Sequence, residues 1–157
     1  MNKKLESKLF KKYPKIFRQK DLPMNQTCMC WGISTGDGWY NIINILCNLL
    51  QFDIDHNDYK QVEFTQVKEK FGTLRIHTSG ADKTQQAYIR FTEHLSGLIC
   101  ESCGSMTDII RTTGWISTIC KKCLFKHEIK QYLNNIKFRI LCKIGIYKGK
   151  LIKCLQK

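Results

Sequence analysis

The chain carries two Cys-x-x-Cys pairs, Cys100-Glu-Ser-Cys103 and Cys120-Lys-Lys-Cys123, separated by 16 residues. Four thiolates at this spacing can close a tetrahedral shell, and a sulfur-only zinc shell is structural. The flanks add a geometry. Gly104 follows Cys103 where a zinc knuckle needs a left-handed residue. Thr107 to Thr112 and Trp115 to Cys120 read as two short strands joined at Thr113-Gly114, and a helical pattern follows Cys123. Knuckle, hairpin and a helix whose first turn supplies the last ligand is the plan of a treble-clef-like (zinc-ribbon-like) module. It predicts structural Zn2+ on Cys100, Cys103, Cys120 and Cys123. The competing reading, two unrelated redox pairs, fits the spacing less well.

At 157 residues the chain can hold one compact domain, or a small core plus a zinc module. A hydrophobic content of 43% with two prolines belongs to a folded protein. Met1 to Lys20 has no apolar signal-like core, and no run of about 18 uncharged apolar residues exists. The expectation is a cytoplasmic, intracellular protein, neither secreted nor membrane-spanning. In a reducing compartment the remaining cysteines, Cys28, Cys30, Cys47, Cys142 and Cys154, are expected as free thiols.

The formal net charge of +13 is unevenly placed: +6 over residues 1–23, −2 over 24–99 and +9 over 100–157. A polyanion such as nucleic acid would engage the two ends. Solvated lysines in a proteome with AT-biased codons would give the same composition. Lys121, Lys122 and Lys126 also have a local reason, because ammonium groups stabilise the negative charge of a four-thiolate zinc centre.

Along the chain, residues 3–13 place Leu5, Leu9 and Tyr13 on one helical face, which is expected to dock on the core. Gln19 to Gly36 reads as irregular. Asp37 is expected to cap a helix to about Gln51, with Trp39, Ile42, Ile43, Leu46, Leu49 and Leu50 buried. Phe52 to Tyr59 reads as a polar turn. Gln61 to Lys70 and Thr73 to Thr78 form a hairpin turning near Phe71-Gly72, with Leu74 and Ile76 inward. Asp82 caps a second helix to Gly97 that buries Ala87, Tyr88, Phe91 and Leu95. From Lys122 to about Ile146 apolar residues keep a helical stripe with lysines opposite, open to interruption at Asn134-Asn135. The fold class expected is α+β: a helix and hairpin core over 1–98, packed against a zinc module at 99–125, with a basic helical extension over 126–157.

Five blocks stand out in order: Met29-Cys30-Trp31-Gly32, Gly36-Asp37-Gly38-Trp39-Tyr40, Val67 to Arg75, Glu93 to Gly104 with its Ile-Cys-Glu-x-Cys-Gly end, and Gly114-Trp115. Together they resemble a family of small bacteriophage-encoded proteins of unassigned activity, over roughly residues 5–125. The resemblance implies a viral origin and a zinc-bearing domain; it implies no reaction.

Several segments invite chemistry. Lys68, Lys70 and Arg75 near the hairpin tip could grip phosphates, with Phe71 free to stack on a base. The favoured reading of that hairpin is structural, with Phe71 packed under the turn and the charges solvated. Gly36-Asp37-Gly38 at a helix start could attract an anion, but Asp37 would repel one, so capping is preferred. Cys28-Met-Cys30-Trp31 could supply a catalytic thiol, which needs a histidine partner. His77 and His94 are the distant candidates, and His56 lies in an acidic stretch. A buried Cys30, or a second metal site built with Cys28, is preferred. Asp53 to Asp58 alternates oxygen donors but lacks the glycine and glutamate of a calcium loop. A nuclease finger fails on missing residues, since neither His nor Asn lies between Cys103 and Cys120.

The expected function is therefore a virus-encoded zinc-binding accessory protein, not an enzyme, whose partner is nucleic acid. Its contacts would be Lys68, Lys70 and Arg75 on the hairpin, and Lys121, Lys122, Lys126, Lys130, Lys137, Arg139 and Lys143 after the finger. The alternative is a protein-binding effector acting on a host factor or defence system. A Cys30-dependent enzyme is the weaker third.

Overall fold

Asn2 starts the first helix, α1 (Lys3–Lys12), by accepting the Leu5 N–H that the first turn leaves without an intrahelical partner. Leu9 and Tyr13 lie one turn apart and are buried, as the spacing predicts. The computed structural model describes residues 1–143, with side chains described through residue 138. The expectations for Arg139, Cys142, Lys143 and Cys154 fall outside the described side chains, and the stripe beyond Phe138 with them. The chain divides into two units at Lys121 and Lys122.

The first unit is mixed α+β. Short 3-10 turns at Arg18–Asp21 and Met29–Trp31 lead into β1 (Ile33–Ser34), which the apparent irregularity of this stretch conceals. Two residues carry no periodicity to read. β1 runs parallel to β2 (Glu63–Lys70), and β2 pairs antiparallel with β3 (Thr73–Ser79) in the order β1-β2-β3. Phe64 and Val67 both face the core although three residues apart, because the register shifts between Phe64 and Gln66. The bulge's loose carbonyl, on Thr65, accepts the Thr27 hydroxyl at 3.0 Å.

The second helix, α2 (Tyr40–His56), starts later and ends later than expected. Asp37 does not cap it: its two carboxylate oxygens accept the backbone and side-chain N–H of Asn2, both at 2.7 Å. Those bonds hold the Asp37 carboxyl below its ordinary range. The stretch from Phe52 to His56, expected as turn, stays helical through side-chain pairs one turn apart. Gln51 bonds Asp55, His56 stacks on Phe52, and Asn57 closes the end on the Asp53 carbonyl. Cys47 joins the buried stripe, where burial pushes its thiol up, whereas Leu49 is partly exposed.

The third helix, α3 (Lys83–Ser96), carries the Asp82–Gln85 capping box at its start. It is rotated from the apolar stripe expected of it. Gln85, Ile89, Thr92 and Ser96 are buried, Tyr88 and Leu95 pack half-buried against the core as expected, and Ala87 and Phe91 are exposed. The cause lies in β3, an edge strand whose outward N–H groups need acceptors. Ser96 Oγ accepts from Leu74 at 2.8 Å and Glu93 Oε1 from Ile76 at 2.7 Å. Satisfying that edge turns the polar side of α3 inward and leaves an apolar groove between α2 and α3, lined by Ile45, Leu49, Tyr88 and Phe91.

The core gathers Phe17, Trp39, Phe64, Leu74 and Ile89, with Phe17 and Phe64 edge to face at 5.4 Å. A second hairpin, β4 (Ile109–Arg111) with β5 (Thr118–Cys120), completes the first unit. The fourth helix, α4 (Lys121–Lys143), continues through Asn134-Asn135 without a break. Among the described residues no helix is long and apolar enough to cross a membrane.

Phe71 corrects the expectation for the hairpin tip. It does not pack under the turn; its ring stands in solvent.

Ser96→Ala would leave the buried Leu74 N–H without an acceptor. The expected result is a loss of about 1–3 kcal/mol of unfolding free energy in a urea titration. A loss near zero would show that α3 does not hold this edge through that bond.

Candidate metal centre

The first Cys pair sits on a tight backbone turn. Gly104 donates its N–H to the Cys100 carbonyl at 2.8 Å, and the Cys100 N–H goes to the Ser105 carbonyl at 2.8 Å. Gly104 holds φ +79, a conformation a side chain would strain, as its position after Cys103 predicts. The second pair straddles the junction of β5 and α4. Cys120 pairs with Ile109 across the hairpin, the Lys121 N–H bonds the Asp108 carbonyl, and Cys123 lies in the first turn of α4.

The four Sγ atoms of Cys100, Cys103, Cys120 and Cys123 all lie within 4.8 Å of one another. The Cys103 and Cys120 sulfurs are 3.7 Å apart. A tetrahedron with metal–sulfur bonds of about 2.3 Å has edges of about 3.8 Å, whereas a disulfide needs about 2.05 Å. The group is therefore positioned to hold a metal ion, and all four donors are soft sulfurs. Among the described residues it is the one cluster of three or more ligating side chains at such distances.

The knuckle rests on a seat whose purpose is hidden in the sequence. The Gly38 N–H donates to the Glu101 carbonyl at 2.7 Å, the Gly36 N–H to Glu101 Oε1 at 2.8 Å, and the Trp39 indole to the Ile99 carbonyl at 2.9 Å. A Cβ on Gly38 would fall on the Cys100 carbonyl oxygen and the Gly104 nitrogen. Gly36-Asp37-Gly38-Trp39 is thus neither an anion loop nor a helix cap. It is the surface against which the first two ligands are shaped. Paired glycines before a tryptophan were the available signal, but no spacing says which backbone comes close.

Further bonds fasten the β4–β5 hairpin. The Glu101 N–H donates to the Thr118 carbonyl at 2.9 Å, the Thr118 hydroxyl to the Gly72 carbonyl at 2.5 Å, and Arg111 Nη2 to the Phe71 carbonyl at 2.7 Å. The tip of β2–β3 is thereby tied to the strand that carries Cys120.

The basic residues separate into two kinds. At the N-terminal end Lys3 pairs with Glu6, Lys15 with Asp55, Arg18 with Glu63 and Lys20 with Asp21. Acidic groups of the chain itself thus meet much of that charge. Lys68, Lys70 and Arg75 project from one face of the sheet, with Lys68 directly opposite Arg75. Among the described residues no carboxylate forms an ion pair with any of the three. On α4, Lys121, Lys122, Lys126, Lys130 and Lys137 are exposed, and the last four share one helical face away from Glu128.

Cys30, half-buried, directs its thiol to the Thr27 carbonyl at 3.2 Å. Cys28 and His77 line a common cleft with Thr65 and Gln66. The His56 ring is occupied by Phe52, through stacking and an Nδ1 contact with its carbonyl at 2.9 Å. Asp53 bonds Asn57 at the end of α2.

Gly38→Ala forces the knuckle off its seat. In competition with a chromophoric chelator the variant is expected to give up its metal at least about tenfold more readily than Gly97→Ala, where the nearest neighbour of a new Cβ is 3.3 Å away. Equal retention would show that the seat does not shape the site.

No protein-family model, curated protein or solved structure matches the chain, so what it does is read from its own residues.

Proposed function

We propose that this chain is a virus-encoded accessory protein that binds nucleic acid on the outer face of its sheet, with a structural Zn2+ ion holding that face in place. The ion is read as zinc because four thiolates in a tetrahedral spacing suit a metal with no redox role and leave no open coordination position for catalysis. Turn, hairpin and helix bearing the ligands in this order support a treble-clef arrangement. The viral origin rests on the five sequence blocks. Four of them also meet in space, in two pairs: the Gly36–Trp39 block carries the Cys100–Gly104 block, and the Val67–Arg75 block is bonded to the hairpin containing Gly114-Trp115.

One observation carries the nucleic-acid reading. Lys68 faces Arg75 across the β2–β3 pair, with Lys70 on the same side and no ion-pairing carboxylate among the described residues. Like charges directly opposite one another destabilise a sheet, and a phosphate chain would relieve the repulsion. The lysine face of α4 is a second candidate of the same kind.

A protein-binding effector is the second reading, favoured by the apolar groove of α2 and α3, where Ile45 is 64% and Phe91 69% exposed.

The test is a salt titration of binding to labelled DNA and RNA by the zinc-loaded full chain and by Lys68→Ala/Arg75→Ala. Loss of two phosphate contacts is expected to lower the slope of log K against log salt by about 1.4–1.8. The variant is expected to be no less stable than the parent, because a repulsive pair has been removed. Absence of binding by the parent near physiological salt would transfer the assignment to the groove and a protein partner.

A further inference from the structure

We infer that the cleft between the tips of the two hairpins is a stacking site for unpaired nucleobases, with Phe71 and Trp115 as its rings and single-stranded nucleic acid as its ligand. The inference rests on the nucleic-acid reading above and assigns it a strand type and a site.

Phe71 is the first of the two turn residues between Lys70 and Thr73, and both turn residues have positive φ, +53 for Phe71 and +74 for Gly72. Such a turn favours Asn, Asp or Gly at its first position. A bulky aromatic there is an outlier, and it gains little burial in return, since Phe71 is 65% exposed. Strain of this kind collects where a side chain is needed for something other than folding.

The ring is also held on a fixed base. The Phe71 carbonyl accepts Arg111, the Gly72 carbonyl accepts Thr118, and the Gly72 N–H reaches Glu69 at 2.6 Å. Opposite lies Trp115, 83% exposed, in a turn fixed by the Thr112 hydroxyl. That hydroxyl donates to the Trp115 carbonyl and accepts the Ser117 N–H. Phe71 and Trp115, with Ile116 and Gly114, line a cleft of about 360 Å³.

Charge selects the occupant. Lys70 places its ammonium 5.5 Å from the Phe71 centroid, and Lys68 and Arg75 continue the positive face from there. Glu69 also lines the cleft and its carboxylate disfavours a phosphate inside it. A base therefore enters between the tips while its backbone follows Lys70 and Lys68. In a duplex the base faces are already stacked, so only an unpaired base can offer one to these rings.

The experiment measures binding of the zinc-loaded full chain to a fluorescein-labelled oligothymidylate and to a duplex of equal length, near physiological salt. It compares Phe71→Asn and Trp115→Ala with the parent. Each variant is expected to bind the single strand about tenfold more weakly. Phe71→Asn is expected at the same time to raise the thermal midpoint, because Asn-Gly suits the turn. Loss of binding with a gain in stability is an outcome that a purely structural role for Phe71 would not produce. Parental affinity for the single strand in both variants would overturn the stacking site while leaving the charged face standing. If the parent binds neither probe, the nucleic-acid reading fails and this inference with it.

Discussion

The Gly38 N–H bonded to the Glu101 carbonyl, with no room for a Cβ between them, is the contact on which the rest is arranged. It sets the turn that presents Cys100 and Cys103, and Glu101 in turn bonds the strand that ends in Cys120. A metal ion on four sulfurs can hold only if those backbones are already shaped to let the sulfurs approach. Here the shaping is done by the N-terminal part of the chain, through two glycines and an indole. The turn and hairpin that carry Cys100, Cys103 and Cys120 are accordingly built into the first unit's fold.

The same chain of bonds reaches the surface. Thr118 and Arg111 hold the two carbonyls of the Phe71-Gly72 turn, so the tip of β2–β3 is positioned by the strands that flank the metal site. At that tip the sheet presents Lys68, Lys70 and Arg75, and Lys70 also lines the cleft that holds Trp115. The four-cysteine cluster and the exposed basic face are thereby parts of one arrangement. The N-terminal lysines and Arg18, which contribute as much to composition, are partly neutralised by Glu6, Asp21, Asp55 and Glu63 and make a weaker claim on a polyanion.

Spacing made the four cysteines legible, because a tetrahedral shell constrains positions close in sequence. The hairpin and the Asp82 capping box were legible for the same reason: both are local. What escaped was decided by distant partners. Ile89 replaces Phe91 in the core because an edge strand needed Ser96 and Glu93 as acceptors. Asp37 bonds Asn2 where a helix cap was expected. Gly36 and Gly38 are glycines because a backbone 62 or more residues downstream passes against them. Phe71 is exposed against its hydrophobicity, and that departure from expectation is what marks the cleft.

Metal site, knuckle, seat and hairpin tip are expected to behave as one cooperative unit. Amide hydrogen exchange read residue by residue, with the metal bound and after its removal by a chelator, tests it most directly. Removal is expected to strip protection from Gly38, Cys100 and Gly104 together with Gly72, while Leu46 and Leu50 of α2 lose less. Protection at Gly38 and Gly72 that survives metal removal unchanged would contradict it.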